Sequence, residues 1–213
     1  TSAGFEIPYR EIDGSMCSRQ RLRIGLSAKD GFRWTGPRKA EINPYGLERI
    51  LDTPFLILVE GESDCWVLWF HGFPALGLPG ATSMKILKKE HLRSVKKLFC
   101  WHEPDEAGGK FISGMARRVY DIGWAGELLE IKAEGIKDPG ELYLNKVLEF
   151  SKAIKYLMAS AKIIQPYIPS CRKEFKPNQF KDSKITKEMI ERASAYPPDK
   201  LVEAKNGMII CPI

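Results

Sequence analysis

Cysteine and histidine are scarce in this chain of 213 residues, which contains five cysteines and three histidines. The cysteines are far apart and odd in number, and no CxxC pair occurs, so neither a disulfide framework nor a complete zinc site is expected. Reduced thiols in a cytoplasmic protein are the simpler interpretation. No apolar run is long enough to span a bilayer and no signal-peptide pattern opens the sequence, so we expect no membrane partner.

Positive charge is concentrated in the two ends of the chain. The formal net charge is +6, of which residues 1–54 contribute +2, residues 55–160 contribute zero and residues 161–213 contribute +4. Basic flanks around a balanced, locally acidic core suit a polyanion held near bound cations. A moderately basic surface with no specific partner is the alternative that charge alone leaves open.

A short apolar run, FLILV at residues 55–59, is the clearest structural signal in the sequence. Such a run is typical of a parallel strand that is covered on both faces. It ends in Glu60, and Gly61 follows where a sharp turn into a helix favours a residue without Cβ. Glu62, Ser63 and Asp64 then occupy the first turn of the predicted helix, where negative side chains suit the helix dipole.

Strand and helix patterns alternate after this run. We predict further strands at residues 74–80, 97–101 and 126–131, and helices at about 85–93, 109–122 and 142–161. This alternation indicates an α/β fold with a parallel sheet of about four strands flanked by helices, occupying residues 55–160.

Carboxylates follow three of the four predicted strands. Glu60 and Asp64 follow the first, Glu103 and Asp105 follow the third, and Asp138 follows the fourth. The carboxyl ends of parallel strands lie at one edge of the sheet, where ligands of α/β proteins bind. Clustered carboxylate oxygens are the ligands that Mg²⁺ and Mn²⁺ prefer, so we predict a divalent metal site at this edge.

Residues 1–54 form a different, β-rich unit. Arg19, Arg21 and Arg23 alternate with apolar or amide residues, which predicts a half-exposed strand with the arginines on one face. We expect it to pair with strands near residues 5–9 and 31–35, and we expect a short helix at residues 43–51. The arginines, beside Phe32 and Trp34, suit contacts with the phosphates of a nucleic acid and stacking on its bases. An ordinary exposed sheet face explains them equally well.

A second basic stretch lies between the second and third predicted strands of the core. It includes Lys85, Lys88 and Lys89, and Lys110 follows the third strand. A solvated helix face is the common interpretation of such a pattern. Proximity to the predicted metal site would favour contacts with nucleic acid or nucleotides, and we predict such contacts for these lysines.

Four sequence motifs, VEGESD, ALGLPGA, HEPDEAGGKF and KDPGELYL, resemble in order and spacing the Toprim domain of primase-type proteins. The resemblance covers roughly residues 55–145 and implies a Toprim fold, with the family's catalytic glutamate at Glu60. It implies metal ligation by Glu60, Asp64, Glu103, Asp105 and Asp138. Glu103 departs from the family's usual aspartate by one methylene, which implies a looser second metal position.

Residues 161–213 predict a Pro- and Lys-rich linker followed by a helical tail. The tail resembles the lead-in to a primase zinc ribbon, in which Cys211-Pro212 would open the first ligand motif. One cysteine cannot form a four-ligand site, so no zinc site is complete within this chain and any ribbon lies outside it.

The resemblance implies metal-dependent nucleotidyl transfer on single-stranded DNA, that is, primase-like synthesis of RNA primers in DNA replication. The expected partners of a monomeric protein are single-stranded DNA and nucleoside triphosphates, and a replicative helicase is a further candidate. Two alternatives stay open. The same site could cleave strands, as in Toprim nucleases and topoisomerases, or the module could bind nucleic acid without catalysis.

Overall fold

The computed structural model describes residues 4–25, 31–50, 52–80 and 83–167, and the backbone of residues 202–203 and 209–210. The chain divides into two compact units, Thr1–Ile168 and Pro169–Ile213. In the second unit the strands Val202–Glu203 and Ile209–Ile210 pair antiparallel. The helix predicted within the C-terminal tail and the Cys211-Pro212 pair lie outside the described residues.

A three-stranded antiparallel sheet opens the first unit. Its strands are β1 (Phe5–Ile7), β2 (Arg21–Arg23) and β3 (Phe32–Trp34), in the order β1-β2-β3. The register places Arg21 opposite Trp34 and Arg23 opposite Phe32. The Arg21 guanidinium lies 5.7 Å from the centre of the Trp34 ring and 3.9 Å from that of Phe32, and such cation–π contacts between strands stabilise a sheet. The predicted small β-rich unit is therefore present.

A five-stranded sheet forms the centre of this unit. Its strands are β4 (Phe55–Val59), β5 (Ala75–Gly77), β6 (Lys97–Trp101), β7 (Glu127–Ile131) and β8 (Lys162–Ile163). The order is β5-β4-β6-β7-β8, with β4 to β7 parallel and β8 antiparallel to β7. The helices are α1 (Glu62–Phe70), α2 (Glu106–Asp121), α3 (Pro139–Asn145) and α4 (Phe150–Ala159). The predicted α/β class is confirmed, and β8 adds a short edge strand.

Side chains alternate across the sheet and form two cores. Ile57 and Val59 face a layer that contains Leu68 of α1 and Ile154 of α4. Leu56, Leu58, Leu98 and Cys100 face the other layer, which contains Phe111 and Met115 of α2. Complete burial of an aliphatic or aromatic side chain contributes roughly 1.5–3 kcal/mol. Because both faces of the central strands pack against apolar layers, both carry apolar side chains, and the strand sequences show no alternation of apolar and polar residues.

Two predicted helices are replaced by short 3₁₀ turns. The stretch at residues 85–93 contains the turns Met84–Ile86 and Lys89–Leu92 instead of one helix. Arg118 of α2 donates hydrogen bonds to the carbonyls of Lys85 and Leu87 at 2.8 and 2.7 Å, and these carbonyls would otherwise accept from the next helical turn.

The predicted helix at residues 43–51 is described up to residue 50, and in that part the helical element is the 3₁₀ turn Leu47–Arg49. Tyr45 exchanges backbone hydrogen bonds with Gly77, and Gly46 has a φ of +92°. The segment therefore pairs with the end of β5 through an isolated antiparallel β-bridge between Tyr45 and Gly77. The third predicted helix, at residues 142–161, is divided between α3 and α4 by a turn at Val147–Glu149.

None of the described helices is long and apolar enough to cross a membrane. The boundaries predicted for the three sequence segments, at residues 54 and 160, stay a prediction, as does the cytoplasmic location.

Candidate active site

Two of the predicted acids lie where the connections of the sheet change direction. The chain runs from β4 through α1 to β5 on one side, and it later returns to β6 on the other side of β4. The carboxyl ends of β4 and β6 therefore border a crevice of the kind in which α/β proteins bind ligands. Glu60 follows β4 directly, and Glu103 stands two residues after β6.

A cavity of about 440 Å³ opens at this edge. Four of the five predicted acids line it, together with one lysine of the core and several residues of the antiparallel sheet. The charged lining residues are Glu60, Glu62, Asp64, Glu103, Lys137, Asp138, Arg21 and Arg23. The fifth predicted acid, Asp105, begins α2 and raises the pKa of Glu60 through its charge.

Glu60 is half-buried, and its Oε1 is a buried atom without a hydrogen-bond partner. Burial raises its pKa from 4.5 to about 7, and repulsion from Glu103 and Asp105 adds to the shift, against a smaller lowering by Lys137. A carboxylate with a buried, unpartnered oxygen and a pKa near neutrality is characteristic of an acid–base group or of a ligand for a cation. Structural carboxylates are normally hydrogen-bonded.

Asp64 is buried in the first turn of α1, with 5% of its surface exposed. Its Oδ1 accepts a hydrogen bond of 3.2 Å from the backbone N–H of Gly140. Burial, followed by the charge of Asp138, raises its pKa to about 7. The position of this carboxylate also explains Gly61, because a Cβ at that residue would lie 2.6 Å from Asp64 Oδ2. Gly61 has an extended φ of −110°, so close approach of the acid requires glycine here and a strained turn does not.

Glu103 forms an ion pair with Lys137, whose Nζ lies 3.2 Å from Glu103 Oε2. Burial raises the pKa of Glu103, and the lysine partly offsets that rise. The chain turns sharply after this residue. A Cβ on Gly108 would lie 2.1 Å from the carbonyl oxygen of Glu103, so the motif HEPDEAGG needs glycine at this position.

Asp105 and Asp138 each cap a helix. Asp105 Oδ1 accepts from the N–H of Gly108 at 2.8 Å, and Asp138 Oδ1 accepts from the N–H of Glu141 at 2.8 Å. Pro139 follows Asp138 at the start of α3, where a missing N–H has no cost. One oxygen of each acid is thus engaged in capping.

Among the described residues, no three His, Cys, Asp or Glu side chains converge closely enough to hold a metal ion. Glu103 is paired with Lys137, and the two caps occupy Asp105 and Asp138. The chemistry of the donors nevertheless fits a hard divalent cation, because all are carboxylates and Glu60 Oε1 has no other partner. Metal ligation by the five acids stays a prediction.

Arg21 is engaged inside the protein. Its Nη1 lies 2.6 Å from Glu62 Oε1, and the two side chains are only 11% and 8% exposed. The hydroxyl of Tyr9 donates to the same carboxylate at 2.6 Å, and the Arg21 guanidinium lies 3.9 Å from the centre of the Phe32 ring. This network fastens the antiparallel sheet to the first turn of α1. Arg21 therefore offers less of its charge to a ligand than the sequence pattern predicts.

The other predicted cations are spread over several surfaces. Arg19 lies over Trp34 with 5.6 Å from guanidinium carbon to ring centre, and Arg23 lines the acid cavity. Lys110 pairs with Glu106 in the first turns of α2, next to the acidic edge. Lys88 pairs with Glu41 at 3.0 Å, and Lys85 is exposed.

Lys89 lies at a different edge of the sheet. It lines a larger cavity, of about 820 Å³, together with Lys96, Gly126 and Glu127 at the amino ends of β6 and β7. The acids lie at the carboxyl ends of these parallel strands. The predicted nucleic-acid contacts of Lys89 are therefore not adjacent to the acid cavity.

Sequence patterns gave no functional weight to three residues of this region. Glu62 was expected to be an ordinary acid in the first turn of a helix, yet it is buried and its Oε1 accepts hydrogen bonds from Arg21 and Tyr9. Lys137 precedes Asp138 in the KDPGELYL motif, and its pairing with Glu103 joins residues 34 positions apart. The available sequence signal for Lys137 was the position of a basic residue directly before the predicted metal ligand Asp138. Nothing in the sequence pattern marks Tyr9.

Neither a protein-family model nor a curated protein sequence matches the chain. Solved structures do match. A DnaG primase catalytic domain bound to single-stranded DNA gives a TM-score of 0.62 at 18% identity, over 75% of this chain and 52% of that chain. The E. coli primase catalytic core gives 0.59 at 17% identity, over 75% and 53%. The primase fragment of the bacteriophage T7 primase-helicase protein gives 0.55 at 22% identity, over 70% and 61%.

These similarities establish the fold. The chain spans about half the length of the first two structures and 61% of the phage fragment. Its mixed sheet and antiparallel unit resemble the Toprim-containing catalytic cores of primases, at identities too low to define activity.

Proposed function

We propose that the protein is a primase-like nucleotidyltransferase that joins nucleoside triphosphates into RNA primers on single-stranded DNA. The observation that carries this proposal is Glu60, a half-buried carboxylate with an unpartnered oxygen at the carboxyl edge between β4 and β6. The similarity to primase catalytic cores supports the choice of reaction. The clustered carboxylates of the cavity suit a divalent cation, and such a cation supports a reaction at a phosphoryl group.

Glu60 acts on the attacking hydroxyl in this proposal. In the metal-free protein its pKa is about 7, close to the pH at which a general base both takes up and releases a proton. Tyr120, Tyr143 and Tyr156 lie in α2, α3 and α4, and none of the three lines the acid cavity. This placement disfavours attack by a tyrosine hydroxyl, the step that a topoisomerase requires.

Glu60, Glu103 and Asp105 would hold Mg²⁺ or Mn²⁺, with Asp64 and Asp138 in support. When bound, such an ion supplies positive charge next to the phosphoryl group that is transferred. The chain's own carboxylates would then repel one another less, because a cation offsets the charges of Glu103 and Asp105, which add to the effect of burial on the pKa of Glu60.

Single-stranded DNA would approach along the antiparallel sheet. Arg23 and Phe5 line the cavity, and Phe5 and Phe32 are 53% and 36% exposed. Exposed aromatic rings stack on bases, and nearby cations contact phosphates. Arg21 belongs to the same sheet, and Arg19 stands two residues before β2 and lies over Trp34 of β3. Lys110, Lys85, Lys88 and Lys89 are the further proposed contacts. A replicative helicase is a proposed partner because one similar structure is a fragment of a primase-helicase protein.

An incubation of the chain with single-stranded DNA, nucleoside triphosphates and Mn²⁺ tests this proposal, with the products separated by length. Extension or new primers longer than two nucleotides would support it. Shortened DNA without new products would favour strand cleavage. Retarded DNA mobility without any product would leave a binding module and contradict the proposed chemistry.

A further inference from the structure

Lys137 is held by its backbone in the loop between β7 and α3. Its carbonyl accepts a 2.8 Å hydrogen bond from Nε1 of Trp101, a residue of β6 that is 2% exposed. Its N–H donates to Oε2 of Glu141. The main chain at Lys137 is therefore fixed relative to both β6 and α3, so the ammonium group can move only on the side chain's own flexible stem.

The ammonium group lies among the acids of the cavity. Nζ is 3.2 Å from Glu103 Oε2, and the Glu103 side chain is 13% exposed while that of Lys137 is 57% exposed. Lys137 lines the cavity together with Glu60, Asp64 and Asp138. Its charge lowers the pKa of Glu60, of Asp64 and of Glu103, so it acts on the cluster as a whole. Because the aliphatic part of the Lys137 side chain is exposed and flexible, its ion pair with the buried Glu103 carboxylate can open and form again.

We propose that Lys137 is a tethered counter-cation that pairs with Glu103 in the metal-free protein and competes with a divalent cation for that carboxylate. This inference rests on the proposed function, since it assumes that the cavity takes such a cation. The geometry of the pair supports it, because the Glu103 carboxylate lines the cavity and is held there by a lysine that is more than half exposed. Release of the ammonium would free the Glu103 carboxylate to bind the cation.

The test is a titration with Mn²⁺, in which the free ion is measured by electron paramagnetic resonance. Lys137→Met should bind Mn²⁺ about threefold to tenfold more tightly than the unchanged chain, as expected for loss of a partly exposed charged competitor. Lys137→Arg keeps the charge and should stay within about twofold. Lys132→Met is the matched control, because Lys132 is exposed in the same loop and does not line the cavity.

A second background separates competition at Glu103 from a general effect of charge. In Glu103→Gln the partner carboxylate is absent, so Lys137→Met should then raise Mn²⁺ affinity by no more than about twofold, which is the remaining effect of its charge on Glu60 and Asp64. A gain of the same size in both backgrounds would overturn the inference in favour of a simple field effect. An unchanged or weaker affinity in Lys137→Met would overturn it as well.

The melting temperature in EDTA provides a readout without metal. Lys137→Met should melt below the unchanged chain, and the double variant with Glu103→Gln should regain most of that loss. If the unchanged chain binds Mn²⁺ and Lys137→Met gains nothing, only this inference fails. If no variant binds Mn²⁺, the metal site of the proposed function fails and this inference falls with it.

Discussion

Replacement of Glu60 by glutamine should stabilise the metal-free protein above neutral pH. The pKa of Glu60 rises from 4.5 to about 7 on folding, so the folded state favours the protonated form. The sign follows from linkage: the native state binds more protons than the unfolded state between these values, so stability falls as pH rises through this window. Glutamine carries no charge at any pH and escapes this loss.

The size of the effect follows from the same two values. The difference between 4.5 and about 7 corresponds to roughly 3 kcal/mol. Glu60 is only half-buried, so solvent screening reduces our expectation to about 1 kcal/mol. For a domain of this size, 1 kcal/mol corresponds to a shift of roughly 2–4 °C in melting temperature.

Thermal melts of both proteins in EDTA, followed by circular dichroism from pH 4.5 to 8.5, check this expectation. Glu60→Gln should melt higher at pH 8 and should coincide with the unchanged chain near pH 4.5. Glu106→Gln is the control, because Glu106 is an acid at the start of α2 whose side chain is 84% exposed and does not line the cavity. A Glu60→Gln curve that lies below the unchanged chain at pH 8 would show that the carboxylate is structural and refute the argument.

Three further predictions concern the surroundings of the site. Gly108→Ala should destabilise the chain by at least about 1–3 kcal/mol in urea unfolding, because its Cβ would collide with the Glu103 carbonyl, whereas Gly109→Ala has open space and should be nearly neutral. Arg21→Met should lower the free energy of unfolding by about 3–5 kcal/mol in the same measurement, since it leaves the buried Glu62 without its cation. A decrease of less than about 1 kcal/mol would show that Arg21 and Glu62 do not form a buried ion pair. Lys110→Ala should reduce the slope of log affinity for single-stranded DNA against log salt by about one, and an unchanged slope would assign this lysine to a solvated surface.

The strand ends were predictable because burial and chemistry act there on neighbouring residues. The apolar run at 55–59 predicts β4 and places Glu60 at its carboxyl end, and Lys97–Trp101 is a strand with the bounds that its sequence pattern indicates. Parallel strands in one sheet then bring Glu60 and Glu103 to one edge without any knowledge of the long-range contacts.

The contacts that join distant segments were not predictable. The ion pair of Arg21 with Glu62 joins residues 41 positions apart, and no periodicity within either segment reports it. Arg21 therefore resembles an exposed cation in the sequence although it is mostly buried. The helix expected at residues 85–93 is interrupted for the same kind of reason, because the side chain of Arg118, in α2, occupies the carbonyls that the helix would use.

Incorporation of a labelled nucleotide on single-stranded DNA, compared between the unchanged chain and Glu60→Gln in the same Mn²⁺ concentration, tests the central claim most directly. The two proteins should bind the DNA with nearly equal affinity, because the basic residues are unchanged. The account predicts that incorporation by Glu60→Gln falls about 10²–10⁴-fold, as expected for loss of a proton-transfer group. Equal incorporation by the two folded proteins would contradict the account and place the active site elsewhere.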